Sequence, residues 1–541
     1  MVLPENFRQT TKCGSLPARG NRDRRGPQNP VAENVSFHMF KRILKTLAAL
    51  GAGHGIQTLT QLLLPPAFIA AYGVNAFGEW LVLAAAVGYL TTLDFGLQTY
   101  VVNELTMLYH RRDWEQFHRF QSVGLRLMLG LVGGGTILSA GVFLLPVAQS
   151  LKIARPESEV AWTLFWLALQ ILAGIAFGQI VGIYRVIGQA HRGVMWGNFQ
   201  KTLLLAVTLA LVWLRPPFWM IALGQFSTVA LVLTLLLVRL HRRAPEVFPR
   251  WDFWDRSLAR RILKPSAFFG LFIVNQFLIF QAPILILNRF LGPEIVVMFT
   301  VGRTLFSFVR QGGSLIQHAI APEVTRLNGI GDQDKLVRVY RLFESAVLAT
   351  ALIVNVGLLF MAPAILRFWL KRPELFDLRV FLLLMLASIL MVVKDFKLIF
   401  QYATNNHSRI AVMTLFSYLG MILISIPAIQ WLGVAGFLLA WLLTELLQTG
   451  LVHAYNLQVL TGRERISLRP EVRLALALLA IVPLIVSSHS FLQSPRYLWH
   501  GVAAAAAMAF LGGVSYFVFD LRELAREGKG QLARAGFGSK A

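Results

Sequence analysis

The strongest constraint on this chain is a series of apolar blocks, each about 18–25 residues long, recurring from residue 43 almost to its end. Wound as a helix, a block of that length crosses a hydrocarbon core of about 30 Å. Inside such a core every backbone N–H and C=O must bond within the chain, which favours helices over any open arrangement of strands. Charge content points the same way: 14% of the 541 residues are charged and 56% are hydrophobic, where soluble domains carry about 25% charged residues. The blocks predict an all-α polytopic membrane protein with about 14 transmembrane helices. They fall near 43–70, 79–102, 123–147, 161–184, 196–214, 217–238, 266–288, 295–320, 342–366, 380–403, 410–430, 432–458, 472–490 and 497–520.

A formal net charge of +24 would suit nucleic acid, but its distribution suits a membrane better. The basic residues gather in the N-terminal tail (Arg19, Arg22, Arg24, Arg25), the 239–264 and 459–473 loops and the C-terminal tail. With these segments on one side, the positive-inside bias orients both termini to the cytoplasm of a multi-pass inner-membrane protein. One loop on the other side dissents, with Arg367, Lys371, Arg372 and Arg379. Nucleic acid is therefore not an expected partner; membrane lipids are. The first forty residues are polar and basic, which predicts a disordered tail and not a signal peptide. The single cysteine, Cys13, lies in that tail, so the sequence offers no disulfide or metal framework and no cofactor is expected.

At an offset of 219 residues the two halves match without gaps across a loop and its flanking spans. Tyr72-Gly73 aligns with Leu291-Gly292, Asn103-Glu104 with Pro322-Glu323, Asp113 with Asp332 and Arg119 with Arg338. Six spans plus six, an even number in each half, make parallel repeats related by an axis along the membrane normal. The expected organisation is a tail over 1–42, a six-helix bundle over 43–238, a basic linker over 239–265 and a second six-helix bundle over 266–460. Two additional helices over 461–520 and a basic tail over 521–541 complete it.

Within the first repeat, "YGVNAFGEWLVLAAAVGYLTTLDFGLQTYVVNEL" (Tyr72–Leu105) carries a YG-x-x-x-[FY]G-x-W loop and a span ending in L-D-[FLM]-G-L. It resembles the first signature region of the O-antigen and exopolysaccharide lipid flippases. "FLGPEIVVMFTVGRTL" and "IAPEVTRLNGIGD" look like the matching region of the second half. That group belongs to a superfamily with the multidrug and toxin extrusion (MATE) antiporters and the lipid II flippases. The resemblance covers roughly 43–460 and implies two six-helix bundles around a V-shaped cavity with alternating access. It also implies a polyprenyl-diphosphate-linked oligosaccharide as cargo, and polysaccharide polymerase or export proteins as partners.

Intramembrane charge is where a function would be carried, because a lipid-facing Arg near mid-bilayer costs at least ~2.5–3.5 kcal/mol. Arg303, Ser307, Arg310, Ser314 and Gln317 fall on one face of a helix, an expected cavity lining. Lys394, Lys397 and Gln401 share a face of the tenth span and are expected to line the same cavity, whereas Asp395 points about 100° away and is expected to pair with a neighbouring helix. Asp94, Glu104, Glu323, Asp395 and Glu445 are the coupling or gating candidates. A cavity with more deep cations than carboxylates suits an anionic diphosphate. An organic-cation antiporter of the same superfamily is the alternative. A membrane glycosyltransferase or polymerase fits less well, since the outer loops are short and the largest, near 367–379, is mainly basic. With such loops an enzyme is not expected, and since no G-x-x-x-x-G-K-[ST] nucleotide loop is present, any energy would come from an ion gradient, the membrane potential or consumption of the product.

Overall fold

The computed structural model describes residues 30–519 apart from Phe95, 404–406 and 464–465, and is helical throughout the described residues. The helices are α1 Pro30–Tyr72, α2 Val74–Val87, α3 Leu97–His110, α4 Trp114–Ala140, α5 Val147–Leu151, α6 Glu157–Val186, α7 Ala190–Leu214, α8 Phe218–Arg243 and α9 Arg256–Phe280. They continue as α10 Ala282–Leu291, α11 Pro293–Ile330, α12 Gln333–Trp369, α13 Leu378–Ala403, α14 His407–Leu432, α15 Val434–Val459, α16 Arg469–Ser487, α17 His489–Leu492 and α18 Tyr497–Val518. Eleven segments among the described residues are long and apolar enough to cross a membrane. Helices α1, α11 and α13 occupy the other three expected positions, the last two carrying the intramembrane charges.

Helix α6 packs against α2, α3, α4, α7 and α8, and α1 lies along α7. In the second half α13 packs against α11, α12 and α15, while α14 lies against α9 and α15. Helices α16 and α18 both lie on α12, and Gly357 gives α18 room there: a Cβ at this position would strike the Met508 side chain.

The 219-residue repeat is written into the backbone. Gly73 (φ 88°, ψ 171°) and its equivalent Gly292 (φ 87°, ψ 174°) hold a conformation that only glycine adopts without strain. Each amide bonds back to an equivalent carbonyl, Ile69 and Asn288. Forty residues later Asp113 and Asp332 share φ of −86° and −80°. Each caps the next helix, accepting from the Gln116 or the Lys335 backbone N–H at 3.1 Å.

Symmetry fails in the middle of the same segment. The expected span 79–102 is not one helix: after Val87 the chain tightens into a 3₁₀ turn, Gly88–Asp94, and restarts beyond Gly96, whose φ is 69°. The equivalent stretch of α11 runs unbroken through Ser307, Arg310 and Ser314. The expected span 266–288 is likewise divided, at Gln281, between α9 and α10, where Pro283 starts a new helix.

At the Tyr72 end the two halves meet closely. A Cβ on Gly78 would collide with the Pro293 carbonyl, so α2 and α11 touch backbone to backbone there. The Asn288 amide donates to the Leu151 carbonyl at 2.5 Å. Pro66 has no N–H to give the Leu62 carbonyl one turn earlier, and the Trp369 indole supplies the missing donor at 2.7 Å.

Candidate functional site

The YG…FGEW stretch builds a structural clamp. Phe68 stacks on Trp80, which meets Phe218 edge to face, with ring centroids 5.2 and 5.4 Å apart. Glu79 Oε2 meets Arg155 Nε at 3.1 Å, and Arg155 reaches on to Glu159 at 2.8 Å while its guanidinium lies 3.7 Å over the Phe218 ring. Tyr72 donates to the Pro216 carbonyl at 2.6 Å. The motif therefore fastens three loops at the Tyr72 end. Sequence reasoning passed over Glu79, although a carboxylate in an aromatic loop was itself the signal of a buried partner.

Arg303 is half-buried between α9 and α11. Its Nη1 donates to the Phe280 carbonyl at 2.9 Å, and its guanidinium lies 5.1 Å from the Phe299 ring and 5.6 Å from that of Phe280. No carboxylate pairs with it among the described residues. Arg310, two turns on, does have one: its Nε lies 2.5 Å from Asp395 Oδ2. Asp395 thus joins α13 to α11, as the helical wheel anticipated. Ser307 and Ser314 donate to the Thr304 and Gln311 carbonyls of their own helix, both at 2.7 Å. The space beside Arg303 and Arg310, lined also by Phe306, Leu384, Met391 and Trp441, is about 40 Å³, enough for two or three waters. Arg303, Ser307 and Arg310 thus line one small space together. The Gln317 side chain lies outside the described residues.

Lys394, Lys397 and Gln401, expected beside the same cavity, are buried in polar contacts, and none of them lines the space beside Arg303. Lys394 is buried and forms an ion pair with Glu445. Its Nζ also donates to the Tyr418 hydroxyl at 2.9 Å and to Gln448 Oε1 at 3.1 Å. The far oxygen of Glu445 accepts from Tyr418 at 2.9 Å and from the Trp441 indole at 3.1 Å. One turn along, Lys397 is 0% exposed and lies 2.6 Å from Glu344 Oε1, 2.7 Å from the Tyr340 hydroxyl and 3.0 Å from His453 Nδ1. It also forms an ion pair with Glu471 of α16. Gln401 donates to Asn456 Oδ1 at 2.7 Å, and Asn456 donates to the Lys397 carbonyl at 3.0 Å.

These contacts tie α12, α13, α14, α15 and α16 into one buried polar core, so α16 is more than an appendage. A buried charge is tolerable only when paired and hydrogen-bonded, and both lysines meet that condition. Glu344, His453 and Glu471 are close enough together to hold a metal ion, but the Lys397 ammonium stands among them in the role a cation would take. Sequence reasoning missed all three; Glu344, inside an apolar span, carried the detectable signal.

The remaining gating candidates fall elsewhere. Asp94 ends the 3₁₀ turn, and its carboxylate accepts from the Gln98 N–H at 3.1 Å, so it caps the restarted helix α3. Glu323 is exposed and pairs with Arg326 on its own helix at 2.5 Å. Glu104 is half-buried and has no ion pair among the described residues. Its neighbour Asn103 accepts from Arg185.

Repeated halves, a charged helix buried among apolar ones and ion-paired lysines at membrane depth define a polytopic helical membrane protein with an internal two-fold repeat. That fold is shared with known transporters. The structure is similar to a lipid II flippase, MurJ, in an inward closed conformation, with TM-score 0.62 at 12% identity over 89% of this chain and 100% of that one. It is also similar to an inward-facing multidrug resistance MATE family transporter of the MOP superfamily, with TM-score 0.57 at 15% identity over 75% of this chain and 94% of that one. A third likeness is to the MATE multidrug transporter DinF-BH, with TM-score 0.55 at 15% identity over 78% of this chain and 97% of that one. No family model and no curated protein sequence matches the chain.

Proposed function

We propose that the protein is a flippase that carries a polyprenyl-diphosphate-linked oligosaccharide across the bacterial inner membrane by alternating access, serving surface polysaccharide synthesis. The observation that carries this reading is Arg303: a guanidinium at membrane depth with aromatic walls and no carboxylate partner among the described residues. Such a group holds diphosphate oxygens bidentately once the space beside it opens. The lipid II flippase also matches more of this chain than the MATE transporter does, 89% against 75%. The sugar would travel in the wet interior while the polyprenyl tail stays in lipid.

On this reading the two six-helix bundles rock against each other, and the Gly78–Pro293, Asn288–Leu151 and Trp369–Leu62 contacts hold one access state shut. Each state is favoured by its own set of contacts, and cargo shifts the balance only through different affinities for the two. Asp94 and Glu104 are the carboxylates left for coupling, since Asp395, Glu445, Glu344 and Glu471 are each tied to an arginine or lysine.

The second reading, an organic-cation antiporter, draws support from the two MATE likenesses. An exporter of cations needs a carboxylate facing its cargo; Asp395, Glu445 and Glu344 are each tied to an arginine or lysine, which leaves Asp94 as the candidate and counts against this reading. Binding to purified protein separates the two. The flippase reading predicts that a polyprenyl-diphosphate saccharide binds in competition with undecaprenyl diphosphate and not with an organic cation. Saturable binding of the cation with no binding of the diphosphate lipid would reverse the assignment.

A further inference from the structure

A second cavity, larger than the space beside Arg303, lies elsewhere in the chain. It has a volume of about 1110 Å³ and lies at the basic end of the first half, between α1, α3, α6, α7 and α8. Its lining divides into two zones. At the mouth stand Lys45, Arg192, Arg239 and Arg243, with Glu246 the one carboxylate. None of these four cations forms an ion pair among the described residues; Arg192 Nη1 is held instead by Gln189 Oε1 at 2.8 Å. The other zone is an apolar wall of Ala48, Ala52, Ile56, Met195 and Phe199, largely exposed as a surface that meets lipid would be. Lys45 and Ile56 are eleven residues apart on α1, so the cavity reaches about 16 Å along that helix from its charged mouth. Asn198 anchors the α1–α7 contact by donating to the Ala49 carbonyl at 2.7 Å.

Positive-inside charge alone would place these cations at a membrane boundary. It would not gather them, without ion pairs among the described residues, at one end of a concavity whose remaining wall is exposed and apolar. We infer that this cavity is a lipid site, which takes a phosphate-ester head group among Lys45, Arg192, Arg239 and Arg243 and lays the hydrocarbon chain along the Ala48–Ile56 face of α1. A compact dianionic head fits four donors better than a single phosphate, because each further guanidinium or ammonium contact is charge-assisted. Tyr109 and Trp196 at the rim add the amphipathic rings that favour the head-group level. The preferred occupant is therefore a polyprenyl diphosphate. Its identity as cargo rests on the flippase reading, with the cavity as a loading station before Arg303; the site itself does not.

Equilibrium binding to the full chain in nanodiscs tests this, with labelled polyprenyl diphosphate as probe and inorganic diphosphate and phosphatidylglycerol as competitors. Arg239→Gln and Arg243→Gln change exposed side chains, and unchanged melting of the variants verifies their fold. Each is expected to weaken probe binding by about tenfold or more, the loss of one charge-assisted bond. Ala52→Trp, which fills the apolar wall, is expected to weaken it comparably while leaving competition by inorganic diphosphate weak. Phosphatidylglycerol displacing the probe at equal concentration would keep the lipid site but replace the diphosphate with a bilayer phosphate. Inorganic diphosphate displacing it as well as the lipid does, or wild-type binding in the Arg239→Gln/Arg243→Gln double variant, overturns the proposal. Binding is read without translocation, so a protein that binds here and moves nothing contradicts the flippase reading alone.

Discussion

Lys397 shows what a side chain at membrane depth costs and how the fold meets it. Its ammonium faces Glu344, Glu471, Tyr340 and His453; Lys397→Met would strand two carboxylates in the core. Breaking a buried pair in this way costs about 3–5 kcal/mol, so thermal unfolding in detergent is expected to show a large loss, partly restored by adding Glu344→Gln. An unchanged melting temperature in Lys397→Met would mean the pair is not formed. The sequence showed that Lys394 and Lys397 share a helix face but not what that face meets. Helical spacing fixes direction about one axis, whereas the partners come from four other helices and depend on how those are packed. Asp395 was legible because its direction alone separated it from the lysines. Arg310→Met and Asp395→Asn are expected to be non-additive by about 0.5–3 kcal/mol in a double-mutant cycle; additive effects would dissolve the pair.

At the scale of elements, the repeat was legible and its breakage was not. Glycines with φ near 88° and aspartate caps require particular residue types, so equivalent geometry left equivalent letters 219 positions apart. The 3₁₀ turn at Gly88–Asp94 reads in sequence as one more apolar span, because its composition differs little from a helix. Gly73→Ala and Gly292→Ala are each expected to cost about 1–3 kcal/mol in thermal stability, and clearly unequal costs would weaken the equivalence. Asp332 offers a pH test at the same element boundary. Hydrogen bonds from the Lys335 side chain and backbone N–H hold its carboxyl below the usual carboxylate range. A folded value below the unfolded one of about 3.9 gives stability that is present above that value and lost as pH falls through the folded one. The gap in melting temperature between the parent and Asp332→Ala should therefore close on acidification from about pH 6 toward pH 3; a gap that widens would reverse the sign.

For the whole molecule, the question is which charges meet cargo. The structure draws most of them inward as ion pairs and leaves Arg303 in a space of about 40 Å³, so transport requires that region to open. Gly78→Leu would wedge α2 from the Pro293 backbone and is expected to shift the protein away from the state described here, seen as altered labelling of engineered cysteines at the Tyr72 end. The central claim is that Arg303 holds a lipid diphosphate during translocation. Its most direct test is the rate at which reconstituted protein moves a fluorescent polyprenyl-diphosphate oligosaccharide across a vesicle membrane. Arg303→Ala, verified as folded by its melting temperature, is expected to lower that rate by about tenfold or more, with Arg303→Lys intermediate. A folded Arg303→Ala protein that translocates the lipid at the parent rate would contradict the account.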